Sequence, residues 1–164
     1  MKSLARFQQF LESIPERRGL ALLRGSLLAF GGTWTVTQIL AFAIVAVYPG
    51  PQFVGSVFSS VSGVIAAVLL APLAETLMMR GMFWALRRLR CNKAGLLGWS
   101  TLFWWVSHVA SESWGVPAAV GFWVMGVLYL AFERRSTDWA MVYVSVFHCA
   151  FNALSFGLYT FVHR

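Results

Sequence analysis

Long apolar stretches separated by short runs of arginine and lysine constrain this chain more than any other feature of its sequence. Apolar stretches lie at about 22–48, 57–86, 94–110, 117–132 and 139–162. Each comes near the ~20 residues a helix needs to cross the hydrocarbon core of a bilayer, the third and fourth being short. A segment in lipid must satisfy its own backbone hydrogen bonds, so every one of them is predicted to be helical. The expected fold is all-α, a polytopic membrane bundle of about five transmembrane helices. Pro49-Gly50-Pro51 stops the first span, and Arg87, Arg88 and Arg90 stop the second. Charged residues make up only 12% of the chain, roughly half of what a soluble domain carries.

The net charge of +7 does not point to nucleic acid, because the basic residues flank spans instead of forming one face. Lys2, Arg6, Arg17, Arg18 and Arg24 stand at the start of the chain. Arg80, Arg87, Arg88, Arg90 and Lys93 surround the second connection, Arg134 and Arg135 the fourth, and the first and third connections have none. This alternation predicts a cytoplasmic N-terminus and a C-terminus on the far side. A prokaryotic inner membrane is the expected location. Within residues 1–18, Leu4, Phe7, Leu11 and Ile14 recur at helical spacing beside basic residues. An amphipathic interfacial segment is expected there, with no apolar core of a signal peptide. Residues 19–164 then form a single transmembrane domain. Cys91 lies in a basic loop and Cys149 in an apolar span, so both are expected as free thiols.

Polar residues inside the spans suggest function, because burying them in lipid is costly. Glu75, Arg80, His108, His148 and Asn152 are such residues. At ~1.5 Å of rise per residue, Glu75 lies roughly 16 Å from the cytoplasmic end of its span, and His108 roughly 21 Å into the third. His148 and Asn152 lie roughly 14 and 20 Å into the fifth. Three helices thus deliver polar groups to one level. His148 and Asn152 are four residues apart and share a helix face. Ala67 and Ala71 continue toward Glu75 as a small-residue ridge that allows close helix approach. Pro72 removes a backbone donor and is expected to free the Val68 carbonyl and bend the helix, making room for a substrate or serving packing alone. Glu112, Trp114 and Pro117 fall in the turn after His108, read as a solvated loop.

The stretch from Ala71 to Gly81, which contains Glu75 and Arg80, resembles the E-E-x-x-x-R signature of the CPBP family, the CAAX-protease and bacteriocin-processing membrane proteins. Trp104 to His108 looks like the second signature, an aromatic residue four before a histidine. His148 to Asn152 fits the last, H-x-x-x-N. Segments Gly126 to Tyr129 and Thr137 to Ala140 are similar to the stretch leading into it. The resemblance covers about 64–154. It departs from the family at Thr76, where a second acid is usual, and at Trp104, where phenylalanine is commoner.

The resemblance implies an intramembrane glutamate-type endopeptidase acting on a protein or peptide with an apolar or lipidated tail at or in the bilayer. Glu75 and His108 activate water, and His148 and Asn152 donate to the oxyanion, with Arg80, Trp104 and Thr76 supporting. One Glu and two His can also ligate zinc. The chain lacks H-E-x-x-H, and the family is described as metal-independent, so neither metal nor cofactor is expected. The alternative is a non-catalytic scaffold or bacteriocin-immunity protein of the same fold, which Thr76 favours. A transporter is disfavoured by the absence of an inverted repeat.

Overall fold

The computed structural model describes residues 19–47, 60–109 and 115–162. The expected interfacial segment at 1–18, the Pro49-Gly50-Pro51 stop and the positions of Glu112 and Trp114 lie outside the described residues. Among those described there are five helices and no strand. They are α1 (Gly19–Val47), α2 (Val61–Arg88), α3 (Lys93–His108), α4 (Gly115–Glu133) and α5 (Thr137–Val162). The all-α membrane bundle expected from the sequence is what forms. α2, α4 and the Thr137–Leu158 part of α5 are long and apolar enough to cross a membrane. α3 has 16 residues, as short as expected, whereas α4 has 19 and is longer than its apolar run suggested.

Local chemistry sets the helix ends. The Ser60 side chain accepts from the Gly63 amide at 3.0 Å and opens α2. Asn92 does the same for α3, accepting from Gly95 at 2.9 Å. Each supplies an oxygen to an orphan N–H of the first turn. α2 closes with Arg90 at φ 59, while Arg90 N–H donates to Arg87 and Cys91 N–H to Leu86. This is a Schellman ending with arginine in the left-handed position that glycine usually takes.

Burial is arranged for lipid. Leu28, Val61, Trp139 and Phe161 are largely exposed on the outside, and the buried core runs through Met79, Phe83, Leu96, Leu97, Phe122, Tyr129, Val144 and Phe147. α4 sits in the middle, packed against α1, α3 and α5, while α2 packs mainly on α5. An apolar helix with neighbours on several sides needs no polar face. α3 and α4 approach closely at Gly126, where a Cβ would stand 2.8 Å from Leu97 Cδ2 and 3.4 Å from Phe83. Both neighbours are buried, so Gly126→Ala overpacks the interface. Its expected cost is about 1–3 kcal/mol, read as a lower melting temperature in detergent.

Polar ties join the helices. At the basic end, Arg87 makes a two-armed ion pair with Glu133, one arm at 2.7 Å, linking α2 to α4. Arg80 reaches Asp138 at 3.6 Å, linking α2 to the start of α5. Asp138 sits in the first turn of α5, one rise beyond the apolar stretch, and the guanidinium extends outward to it. Gln38 donates to Ser155 at 2.9 Å and joins α1 to α5.

Candidate active site

The site begins with a register change in α2. Residues Ala66–Leu70 are π-helical, between α-helical turns on both sides. In this register the Ala71 N–H bonds the Ala66 carbonyl, five residues back. The next residue is Pro72, which has no N–H to offer. Carried one residue further, the five-residue register would have position 72 serve the Ala67 carbonyl, where α-helical winding would have it serve Val68. Asn152 Nδ2 of α5 donates to the Ala67 oxygen at 2.8 Å.

Beyond the π turn, α2 carries Glu75 and Thr76 side by side. Thr76 is buried and its hydroxyl donates back to the Pro72 carbonyl at 2.7 Å. A hydroxyl four residues on satisfies itself within its own helix, so Thr76 adds no acid to the site. Glu75 lies between two imidazoles. Its Oε2 stands 3.4 Å from His148 Nε2 of α5, and its Oε1 stands 3.9 Å from His108 Nε2 at the end of α3. The polar groups of three helices do meet at one level.

The rings are oriented by their neighbours. His108 Nδ1 lies 2.9 Å from the Trp104 carbonyl. A carbonyl only accepts, so Nδ1 carries the hydrogen and Nε2 presents a lone pair toward Glu75 in the neutral ring. Ser107 Oγ donates to the same carbonyl at 3.0 Å. His148 is buried, and among the described residues its Nδ1 has no hydrogen-bond partner. Phe122 of α4 forms the floor. It stacks on Trp104 with centroids 3.9 Å apart at 7° and meets His148 edge-on at 5.2 Å. Its centroid is 5.8 Å from that of His108.

Glu75, His108 and His148 thus come together, with Trp104 behind them. Asn152 is one turn further along α5, its amide engaged by the Ala67 carbonyl, and Arg80 is directed away to Asp138. Sequence reasoning missed Phe122 and Gln38. Phe122 is one aromatic among many in an apolar span, and only a facing histidine distinguishes it. Gln38, a buried amide in the first span, carried the same intramembrane signal as Asn152. Among the described residues no group of three His, Cys, Asp or Glu is arranged to hold a metal ion.

A family model described as type II CAAX prenyl endopeptidase Rce1-like matches residues 56–154. The chain belongs to the Rce1-like family. The matched region runs from just before α2 into α5 and contains every residue of the cluster. Membership makes the chain a CAAX-type intramembrane protease in general terms. No curated protein and no solved structure matches it.

Proposed function

We propose that the chain is a multi-pass, glutamate-type endopeptidase that cuts a peptide bond in a membrane-embedded or membrane-proximal substrate with an apolar or lipidated tail. The observation that carries this reading is the placing of the Glu75 carboxylate between two imidazoles, one oxygen toward each. Glu75 Oε1 and the His108 Nε2 lone pair are two acceptors facing one another, too far apart for a hydrogen bond. A water between them gives a hydrogen to each and directs a lone pair at the scissile carbonyl. Its oxygen bonds the carbonyl carbon as Glu75 takes a proton, and the carbonyl electrons move to oxygen. His148 Nε2–H, on the other side of Glu75, stabilises that oxyanion. Collapse of the intermediate breaks the C–N bond, and Glu75 returns the proton to the leaving nitrogen. The orientation proposed has the Arg87 and Arg134 end in the cytoplasm of a prokaryotic inner membrane, following the basic connections.

A second reading, a non-catalytic scaffold of the same fold, rests on Thr76, which leaves the site one carboxylate short of the family signature. One assay separates the two. Purified protein in proteoliposomes is given a fluorescence-quenched peptide with a farnesylated cysteine before an aliphatic C-terminal tripeptide. A second peptide carries an apolar helix in place of the farnesyl group. Cleavage of either by the wild type is expected, with His148→Ala slower by about 10²–10³-fold in kcat and no loss on chelator treatment. Equal rates for the wild type and His148→Ala, or no cleavage of either peptide, favour the scaffold.

A further inference from the structure

We propose that the turn joining α2 to α3 is a binding site for the headgroup of an anionic phospholipid, made by Arg88, Arg90 and Lys93 beside the Trp84 ring. The site lies at the basic end of the bundle, about 20 Å along α2 from Glu75. It does not depend on the peptidase reading above.

The cations of this end divide into two groups. Arg80 is paired with Asp138 and Arg87 with Glu133. Arg88, Arg90 and Lys93 lie within six residues, and none of the three meets an acid among the described residues. Arg88 and Arg90 are exposed, and Lys93 is partly so. Like charges this close repel one another unless an anion comes between them. The Arg88 guanidinium lies 4.1 Å over the exposed Trp84 ring. A lipid-facing indole settles at the headgroup level of a bilayer, and its face holds the cation at the same level. The anion that a membrane offers there is a lipid phosphate.

At Arg90 the charge is kept against the preference of the backbone. The residue holds the left-handed position of the turn, φ 59, where glycine is relaxed and arginine costs conformational energy. The Cys91 N–H bonds the Leu86 carbonyl across the turn, and both of these side chains pack against the core. The turn is thereby fixed with residue 90 on its outer side. Arg87 and Arg88 already supply cations to the last turn of α2, where the helix dipole favours them. A positive flank that sets topology needs no particular conformation. Neither accounts for arginine where glycine fits better, whereas a ligand held by its guanidinium does.

The test is a titration of phosphatidylglycerol into neutral detergent micelles that hold the purified protein, read by melting temperature at low salt. The lipid is expected to raise the melting temperature, by an amount that shrinks in high salt. Phosphatidylcholine and inorganic phosphate are expected to leave it unchanged. Arg90→Gly should melt at the wild-type temperature or higher before lipid is added, because glycine relaxes the turn. It should then need about fivefold more phosphatidylglycerol for half of the effect, the equivalent of one lost surface cation. Arg88→Gln should do the same in lipid, and Arg90→Lys, which keeps the charge, should stay within about twofold of the wild type. Arg135→Gln, on the other basic connection, controls for diffuse charge. The proposal is overturned if the lipid gives no shift, if Arg90→Gly leaves the half-point where it was, or if Arg135→Gln moves it as far. Inorganic phosphate or a polyglutamate peptide giving the whole effect in place of the lipid also overturns it, the first marking a free-anion site and the second an acidic protein partner.

Discussion

Replacing Glu75 with glutamine is expected to lower turnover of the farnesylated peptide by at least ~10³-fold, within the range attributed to a lost general base, while the protein stays folded in the membrane. Glutamine keeps the shape of the side chain and its place between the two imidazoles. It cannot accept the proton that water must lose before its oxygen bonds carbon. Loss of the negative charge also removes a group that is expensive to keep among apolar helices, so the melting temperature should hold or rise. That combination separates chemistry from structure, because a broken fold lowers both readings together. The paired measurement is single-turnover cleavage in proteoliposomes and thermal unfolding of the same preparation in detergent. Turnover of Glu75→Gln within threefold of the wild type sinks the glutamate mechanism, whatever the fate of the fold.

The five helices were legible because lipid leaves few options: an apolar run that long must be helical, and arginines mark where it ends. Glu75, His108 and His148 were legible for a related reason, since few causes other than function keep ionisable groups at that depth. The π step was not. Pro72 announces that a donor is missing, but which carbonyl suffers depends on the register of the turn before it. A carbonyl of that turn, Ala67, is met by Asn152 from a helix far along the chain. The partner of Arg80 was hidden in a similar way. Its reach to Asp138 depends on how the start of α5 settles beside α2, which local spacing does not encode. Thr76 looked like a loss of chemistry at the site, and its hydroxyl instead serves its own helix. For Pro72 and Arg80 the residue type was readable and the partner was tertiary.

Phe122 tests how far the site depends on packing that carries no chemistry of its own. Its ring fills the space between Trp104, to which it is stacked, and the two imidazoles. Phe122→Ala removes the floor common to α3, α4 and α5 and is expected to cost about 3 kcal/mol of stability. In a bilayer the loss comes mainly from missing contacts, since lipid outside is as apolar as the core. The catalytic effect should be larger in proportion. His148 meets the ring edge-on, and nothing else among the described residues bonds its Nδ1, so packing is what aims its Nε2 at the pocket. With the ring gone the imidazole can turn, and a displacement of ~1 Å at a reacting group is enough for about 10²-fold in rate. Phe122→Leu, which refills most of the volume, should recover much of the stability and less of the rate, because a branched chain does not reproduce the flat face under Trp104. Melting temperatures and kcat for the two variants check this directly. If Phe122→Ala loses stability yet keeps its turnover, the histidine is held by something other than the aromatic floor. The geometry around Glu75 would then need another source of rigidity.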